Sequence, residues 1–276
     1  MTGMGIALAG ASALSAALSH AFLKSGEDKL AVRAWSALVC AVLSLPVALW
    51  AGTLPLSLWA MLAFFAVLSF VNQISLIASY RLSDFSHAYP VARGIVPLAL
   101  AVVGVVWLGD ELKIVTALGI ALITGGICAL ALGRGMSRNG WGAAIFTGLT
   151  TIIYTAIAAY GMRVADNPLA FLAWLFVTDG LLLPLWLWWR SRRHAAERLR
   201  VAWPTGWRSG LLTLLSFSTW SYAVLLAPVG VVSAIRESSV LIALVLAALM
   251  LNERMDKSRV AAGLLIVMGA VAIVAF

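Results

Sequence analysis

The sequence predicts an all-α integral membrane protein with ten transmembrane helices, arranged as an inverted repeat of two five-helix halves. Three observations carry that expectation. Hydrophobic residues make up 63% of the 276 and charged residues 11%, with a mean hydropathy of +1.01. That balance leaves too little polar surface for a water-soluble domain. The apolar residues come in stretches of about 20, the length a helix needs to cross the hydrocarbon at roughly 1.5 Å per residue. Finally, polar landmarks of the first half recur in the same order in the second.

In chain order the spans fall at 4–23, 31–50, 57–80, 86–108, 114–133, 140–162, 169–189, 207–226, 230–251 and 258–276. The first lacks a preceding basic run and is expected to be retained rather than cleaved as a secretion signal. Near its end lie His20 and Lys24, four residues apart and so on one helix face. The third carries Asn72 and Gln73 at depth, where a side-chain amide must find a partner on another helix or a ligand. The fourth contains Tyr89, Pro90, Arg93 and Pro97, and the ninth contains Arg236 and Glu237. Cys40 and Cys128 sit in apolar helix bodies without CxxC or Cys/His spacing, which predicts packing roles and neither a disulfide framework nor a zinc site. Gly119, Gly125, Gly126, Gly263 and Gly269 are expected to let helix backbones approach closely, packing the fifth against the tenth helix or against their neighbours.

If ten helices alternate in direction, fifteen of the nineteen Lys and Arg fall on one side, Arg33 among them, and only Lys113 and Arg163 on the other. Basic loops are retained in the cytoplasm, so the bias predicts that both termini lie outside. The longest basic stretch, "RSRRHAAERLR" from Arg190, is expected to be a solvated topology anchor near anionic lipid. Membrane topology accounts for the basic balance, and no nucleic-acid partner is expected.

The repeat places Ser79 and Tyr80 on Ser221 and Tyr222, Arg93 on Arg236, and Asp110 on Glu253. After a one-residue slip, "GIALITGG" aligns with "GLLIVMGA". The halves are 1–135 and 136–276, and an odd number of helices in each makes the second copy enter from the opposite face. With "LSHAFLKSGED", "YPVARGIVPL" and "LAPVGVVSAIRESSVL", this pattern resembles the drug/metabolite transporter superfamily, specifically its EamA-like branch. The resemblance covers almost the whole chain. It implies a ten-helix secondary transporter with a central cavity and alternating access, often an exporter of amino acids or other small metabolites. Relatives are commonly drawn with both termini in the cytoplasm, opposite to the charge count. The chain also lacks the first-helix glutamate that small multidrug relatives use for proton coupling.

A guanidinium at the centre of a membrane helix costs about 2.5–3.5 kcal/mol on the mildest scale, so something must offset Arg93 and Arg236. Arg93 lies some seven residues into its span, on the order of 10 Å deep. Three arrangements are open: snorkelling to the interface, a structural ion pair with Glu237, or a wet central cavity in which a planar fork receives an anionic group. Pro90 and Pro97 each remove an amide hydrogen, which predicts a kinked fourth helix beside a polar environment. His20, Tyr80, Tyr89, Tyr154, Tyr222, Asn72 and Trp174 complete the candidate substrate-binding set, and Asp179, a carboxylate deep in the seventh span, is the coupling candidate. No cofactor or metal is implied. The partners expected are a small-molecule substrate and the bilayer of the cytoplasmic membrane, with a homodimer as one assembly that the reading allows. The competing classes are a membrane-embedded enzyme, for which no HExxH, GxSxG or acidic metal cluster is present, and a lipid-handling membrane protein.

Overall fold

The computed structural model describes residues 3–82, 85–131, 138–242 and 257–275. The side chains of 24, 79–82, 85–89, 131, 138–139 and 257–259 lie outside that description. Every described element is helical: α1 (Gly3–Ser25), α2 (Lys29–Ala51), α3 (Leu56–Leu82), α4 (Phe85–Gly94), α5 (Val96–Trp107), α6 (Ile114–Ala131), α7 (Arg138–Val164), α8 (Pro168–Ser191), a 3₁₀ turn (Arg192–His194), α9 (Ala195–Leu226), α10 (Val229–Glu237) and α11 (Lys257–Ala275).

The burial pattern identifies the solvent. Ser12, Thr147 and Ser209 are at most 1% exposed, while Leu56, Val106, Trp107 and Ile114 are 78–85% exposed. Small hydroxyl residues inside and large apolar residues outside is the arrangement of helices packed in lipid, where burial of apolar surface drives nothing and close backbone approach does. Among the described residues, six segments are long and apolar enough to cross a membrane, and 114–130 and 260–275 are shorter apolar helices. The chain is a multi-pass membrane protein.

Packing joins the halves. α1 lies on α9, α3 on α7, α2 on α8, α5 on α10 and α6 on α11. Exchanging the halves maps α1·α9 onto α7·α3 and the α2·α8 and α6·α11 pairs each onto itself, so the two-repeat architecture is visible in the contacts. The α1·α9 seam is a serine ladder. Ser12 Oγ donates to the Ser216 carbonyl (2.7 Å) and Ser216 Oγ to the Ser12 carbonyl (2.9 Å); seven residues away, Ser19 Oγ donates to the Ser209 carbonyl (3.0 Å). The equivalent α3·α7 seam uses Asn72, whose Nδ2 donates to the Thr147 carbonyl (2.8 Å) and lies 2.9 Å from the hydroxyls of Thr150 and Thr151.

At the α6·α11 crossing, a Cβ on Gly269 would come within 2.5 Å of the Gly119 carbonyl oxygen and one on Gly126 within 2.8 Å of the Ala262 carbonyl. Gly119, Gly126 and Gly269 therefore have the expected packing role. Gly125 has open space around it, and Gly263 meets only Leu241 at 3.4 Å. Gly269→Val is expected to destabilise the protein by about 1–3 kcal/mol through overpacking, with Gly263→Val nearly silent; thermal unfolding in detergent measures both.

The fourth span is not one continuous helix. Pro97 sits near the start of α5, where a missing amide hydrogen is tolerated, and the chain breaks at Ile95 between α4 and α5. α10 breaks at Ser238, where the hydroxyl takes the Ile235 carbonyl (2.6 Å), before helix resumes over 239–242. Both breaks fall two residues after the repeat-matched arginines, one with a proline and one without. The rest of the ninth span lies outside the described residues. The basic stretch after α8 is not a loop. Arg192, at φ 40°, turns the chain, and α9 then runs 32 residues through Pro204. The carbonyl that Pro204 leaves unpaired belongs to exposed Arg200, where water or headgroups satisfy it.

At the sparsely charged end, Asp110 ties three elements together. Its Oδ1 lies 2.8 Å from Arg163 Nη1, and its Oδ2 accepts from the Val229 amide (2.7 Å) at the start of α10. Arg163 Nε donates to the Val224 carbonyl (3.0 Å). Gly109, at φ 69°, supplies the left-handed turn that presents Asp110. At the basic end, Arg198 grips Asp28 through Nε–Oδ2 (2.6 Å) and Nη2–Oδ1 (3.0 Å). Partial burial pushes the Asp28 carboxyl up, but the Arg198 and Ala31 hydrogen bonds outweigh it and hold the group below its ordinary range.

Candidate functional site

The two helix breaks flank a polar cavity of about 80 Å³ bounded by residues of α1, α2, α3, α4, α7, α8, α9 and α10. Its wall includes five residues of the predicted set: His20, Arg93, Tyr154, Asp179 and Arg236. It also includes Arg33 and Ser69, which the sequence reading places in no site, and Gln73, for which it leaves a helix partner or a ligand open.

Arg93 reaches across the repeat boundary. Its Nη1 lies 2.8 Å from Glu237 Oε1, with the two side chains 11% and 4% exposed. Of the three arrangements open at sequence level, the ion pair is therefore present for Arg93. Glu237 stands where the first repeat has Gly94, at which a Cβ would come within 2.9 Å of Cys128 Sγ and require that side chain to shift. The pair is thus an asymmetric addition to a symmetric frame.

Arg236 is held differently. Its guanidinium carbon lies 5.7 Å from the Phe217 ring centroid and 5.8 Å from that of Trp220. Trp220 is fully buried, and its indole N–H lies 3.4 Å from Ser233 Oγ. Stacking uses the faces of the planar cation and hydrogen bonds use its edge, so the two do not compete.

The opposite wall carries a chain of side-chain contacts. Arg33 Nε donates to Gln73 Oε1 (3.2 Å) and Gln73 Nε2 donates to Ser69 Oγ (3.3 Å); Asp179 lines the cavity with them, and its buried Oδ1 has no hydrogen-bond partner among the described residues. Gly180 lets α8 press so close to α2 that a Cβ would come within 2.5 Å of the Ala37 carbonyl. That contact sets Asp179 beside the α2 face bearing Arg33. The sequence reading uses Arg33 only as a cation marking one membrane side; it stands in the first turn and a half of α2 and lines the cavity. The missed signal was its spacing, since Arg33, Ser36, Ala37 and Cys40 share one helix face.

The remaining predicted residues lie elsewhere. Asn72 is consumed by the α3·α7 seam. Trp174 donates to the Gly52 carbonyl (2.8 Å) and packs on Trp59, 4.9 Å between centroids. Tyr222, 37% exposed, borders a separate apolar groove with Met4 and Leu8. The side chains of Tyr80 and Tyr89 lie outside the described residues. Both cysteines are free, and Cys40 Sγ approaches the Gly210 carbonyl at 3.4 Å.

Two helical repeats that enclose a charged cavity within a multi-pass membrane protein define the class of small-molecule transporters. The family model for the EamA-like transporter family matches residues 3–132 and again 139–275, and the chain belongs to that family. A solved structure titled only as a crystal structure of a protein superimposes with a TM-score of 0.76 over 98% of this chain and 97% of that one, at 16% identity. At that identity the likeness shows the fold alone. No curated protein matches the sequence.

Proposed function

We propose that the protein is a secondary transporter of ten transmembrane helices, built as an inverted pair of five-helix halves over 1–135 and 136–276. It would move a small metabolite bearing an acidic group, such as an amino acid, across the cytoplasmic membrane by alternating access, in the direction of export. The observation that carries this reading is the cavity between the repeats, which Arg33, Arg93, Arg236 and Asp179 line together.

Arg236 and Arg33 both line the cavity and are cations suited to a substrate carboxylate, while Arg93 is paired with Glu237. Asp179 is suited to an ammonium group or to the coupling ion. A cavity of about 80 Å³, against roughly 300–1,000 Å³ for drug-sized sites, favours a small solute. The paired breaks at Ile95 and Ser238 support alternating access, because interrupted helices at equivalent places let one repeat rock against the other. The basic bias supports an orientation with the ends bearing Asp28 and Arg198 in the cytoplasm.

The experiment is a thermal-shift screen of amino acids and small organic acids on the purified protein, followed by flux measurements in proteoliposomes. A ligand specific to the folded state raises the unfolding midpoint. The expected result is at least one stabilising solute that also shows saturable flux. Lipid turnover without solute flux would reverse the assignment.

A further inference from the structure

A second concavity, of about 360 Å³, opens on the basic side of the protein, away from the transport cavity. Its walls are Leu30 of α2, Ile74, Ile77 and Ala78 of α3 and Trp186 of α8, with Arg190 and Arg198 among its lining residues. Ile74 lies eight residues before the end of α3, so the groove descends on the order of 12 Å below the end of that helix. An apolar slot of that depth with cations beside it matches one acyl chain beneath a negatively charged headgroup.

The cations are not equivalent. Arg198 is committed to Asp28 and to the Ser191 hydroxyl. Arg190 is exposed, and among the described residues no carboxylate pairs with it. Its guanidinium lies 5.6 Å from the Trp186 ring centroid, and Phe70 meets that ring edge-on at 6.0 Å. The indole therefore packs against Phe70 while it carries a cation on its face. The left-handed turn at Arg192 folds the chain back at this point and leaves Arg192 and Arg193 exposed beside it in sequence. A groove lined by apolar side chains with an uncompensated cation suits a lipid whose phosphate carries net negative charge.

We propose that this groove is a binding site for an anionic phospholipid, with one acyl chain against Ile74, Ile77 and Trp186 and the headgroup phosphate on Arg190. The site lies apart from the transport cavity and does not depend on the substrate assignment.

The test is the unfolding midpoint of the purified protein in a neutral detergent, with added phosphatidylglycerol or phosphatidylcholine of matched chains. Phosphatidylglycerol is expected to raise the wild-type midpoint by about 4 °C, and phosphatidylcholine to raise it by less than about 1 °C. Arg190→Gln is expected to lose the difference, while Arg200→Gln, in the same basic segment but not in the groove wall, keeps it. Ala78→Leu, which fills the slot without touching the charge, is expected to lose it as well, and this variant carries the test if Arg190→Gln does not fold. Equal stabilisation by both lipids, an unchanged response in Arg190→Gln or Ala78→Leu, or an equal loss in Arg200→Gln would each overturn the proposal.

Discussion

Arg93→Ala is expected to destabilise the protein by about 3–5 kcal/mol, because truncation leaves the Glu237 carboxylate buried without its cation. Glu237 is 3% exposed and its partner lies 2.8 Å away, so the loss is that of a stranded charge and exceeds the net worth of the pair. Glu237→Ala should cost a similar amount. The double variant Arg93→Met with Glu237→Leu removes both charges and should recover most of the stability, since paired buried ions are often replaceable by apolar groups. Chemical or thermal unfolding in detergent of the wild type, Arg93→Ala, Glu237→Ala and the double variant Arg93→Ala with Glu237→Ala forms a double-mutant cycle, with the Met/Leu variant read beside it. Strictly additive losses would mean that the two side chains do not interact.

Arg236→Ala separates function from stability. If its edge holds the substrate carboxylate, loss of a charge-assisted contact worth about 1.5–3 kcal/mol lowers flux by about 10- to 150-fold. Loss of stacking on Phe217 and Trp220 costs only about 0.5–2 kcal/mol. Membrane insertion should be unaffected. Arg236→Lys is expected to lose nearly as much flux, because an ammonium point charge cannot reproduce a planar fork. Flux of the solute found by thermal shift, measured in proteoliposomes, reads both variants, and wild-type rates in Arg236→Ala would remove this arginine from substrate recognition.

The contrast between the two arginines shows where sequence reasoning stops. Their alignment is legible, since Arg93 and Arg236 follow the same landmarks in each half and both invite a charge partner. Which one receives Glu237 is not legible. Glu237 neighbours Arg236 along the chain, but consecutive helical residues point about 100° apart, and only the packing of α10 against the first repeat turns it toward Arg93. Arg33 shows the opposite problem. Its closeness to a helix start makes it look like a topology cation, and only the tight α2·α8 crossing at Gly180 brings it near Asp179. Asn72 and Trp174 look equally suited to a ligand at sequence level; their partners, Thr147 and Gly52, are distant in sequence and could not be foreseen.

Composition and the length of the apolar stretches by themselves determined the solvent and the helical class of this protein, because a backbone in hydrocarbon must satisfy its hydrogen bonds within each segment, and the recurring order of polar landmarks determined its duplicated pattern. The conformation of the fourth span and the choice among buried polar partners were decided only in three dimensions. A charged or amide side chain in a membrane protein takes whichever complementary group the crossing helices bring within about 3 Å, and that proximity depends on long-range packing that no local pattern records.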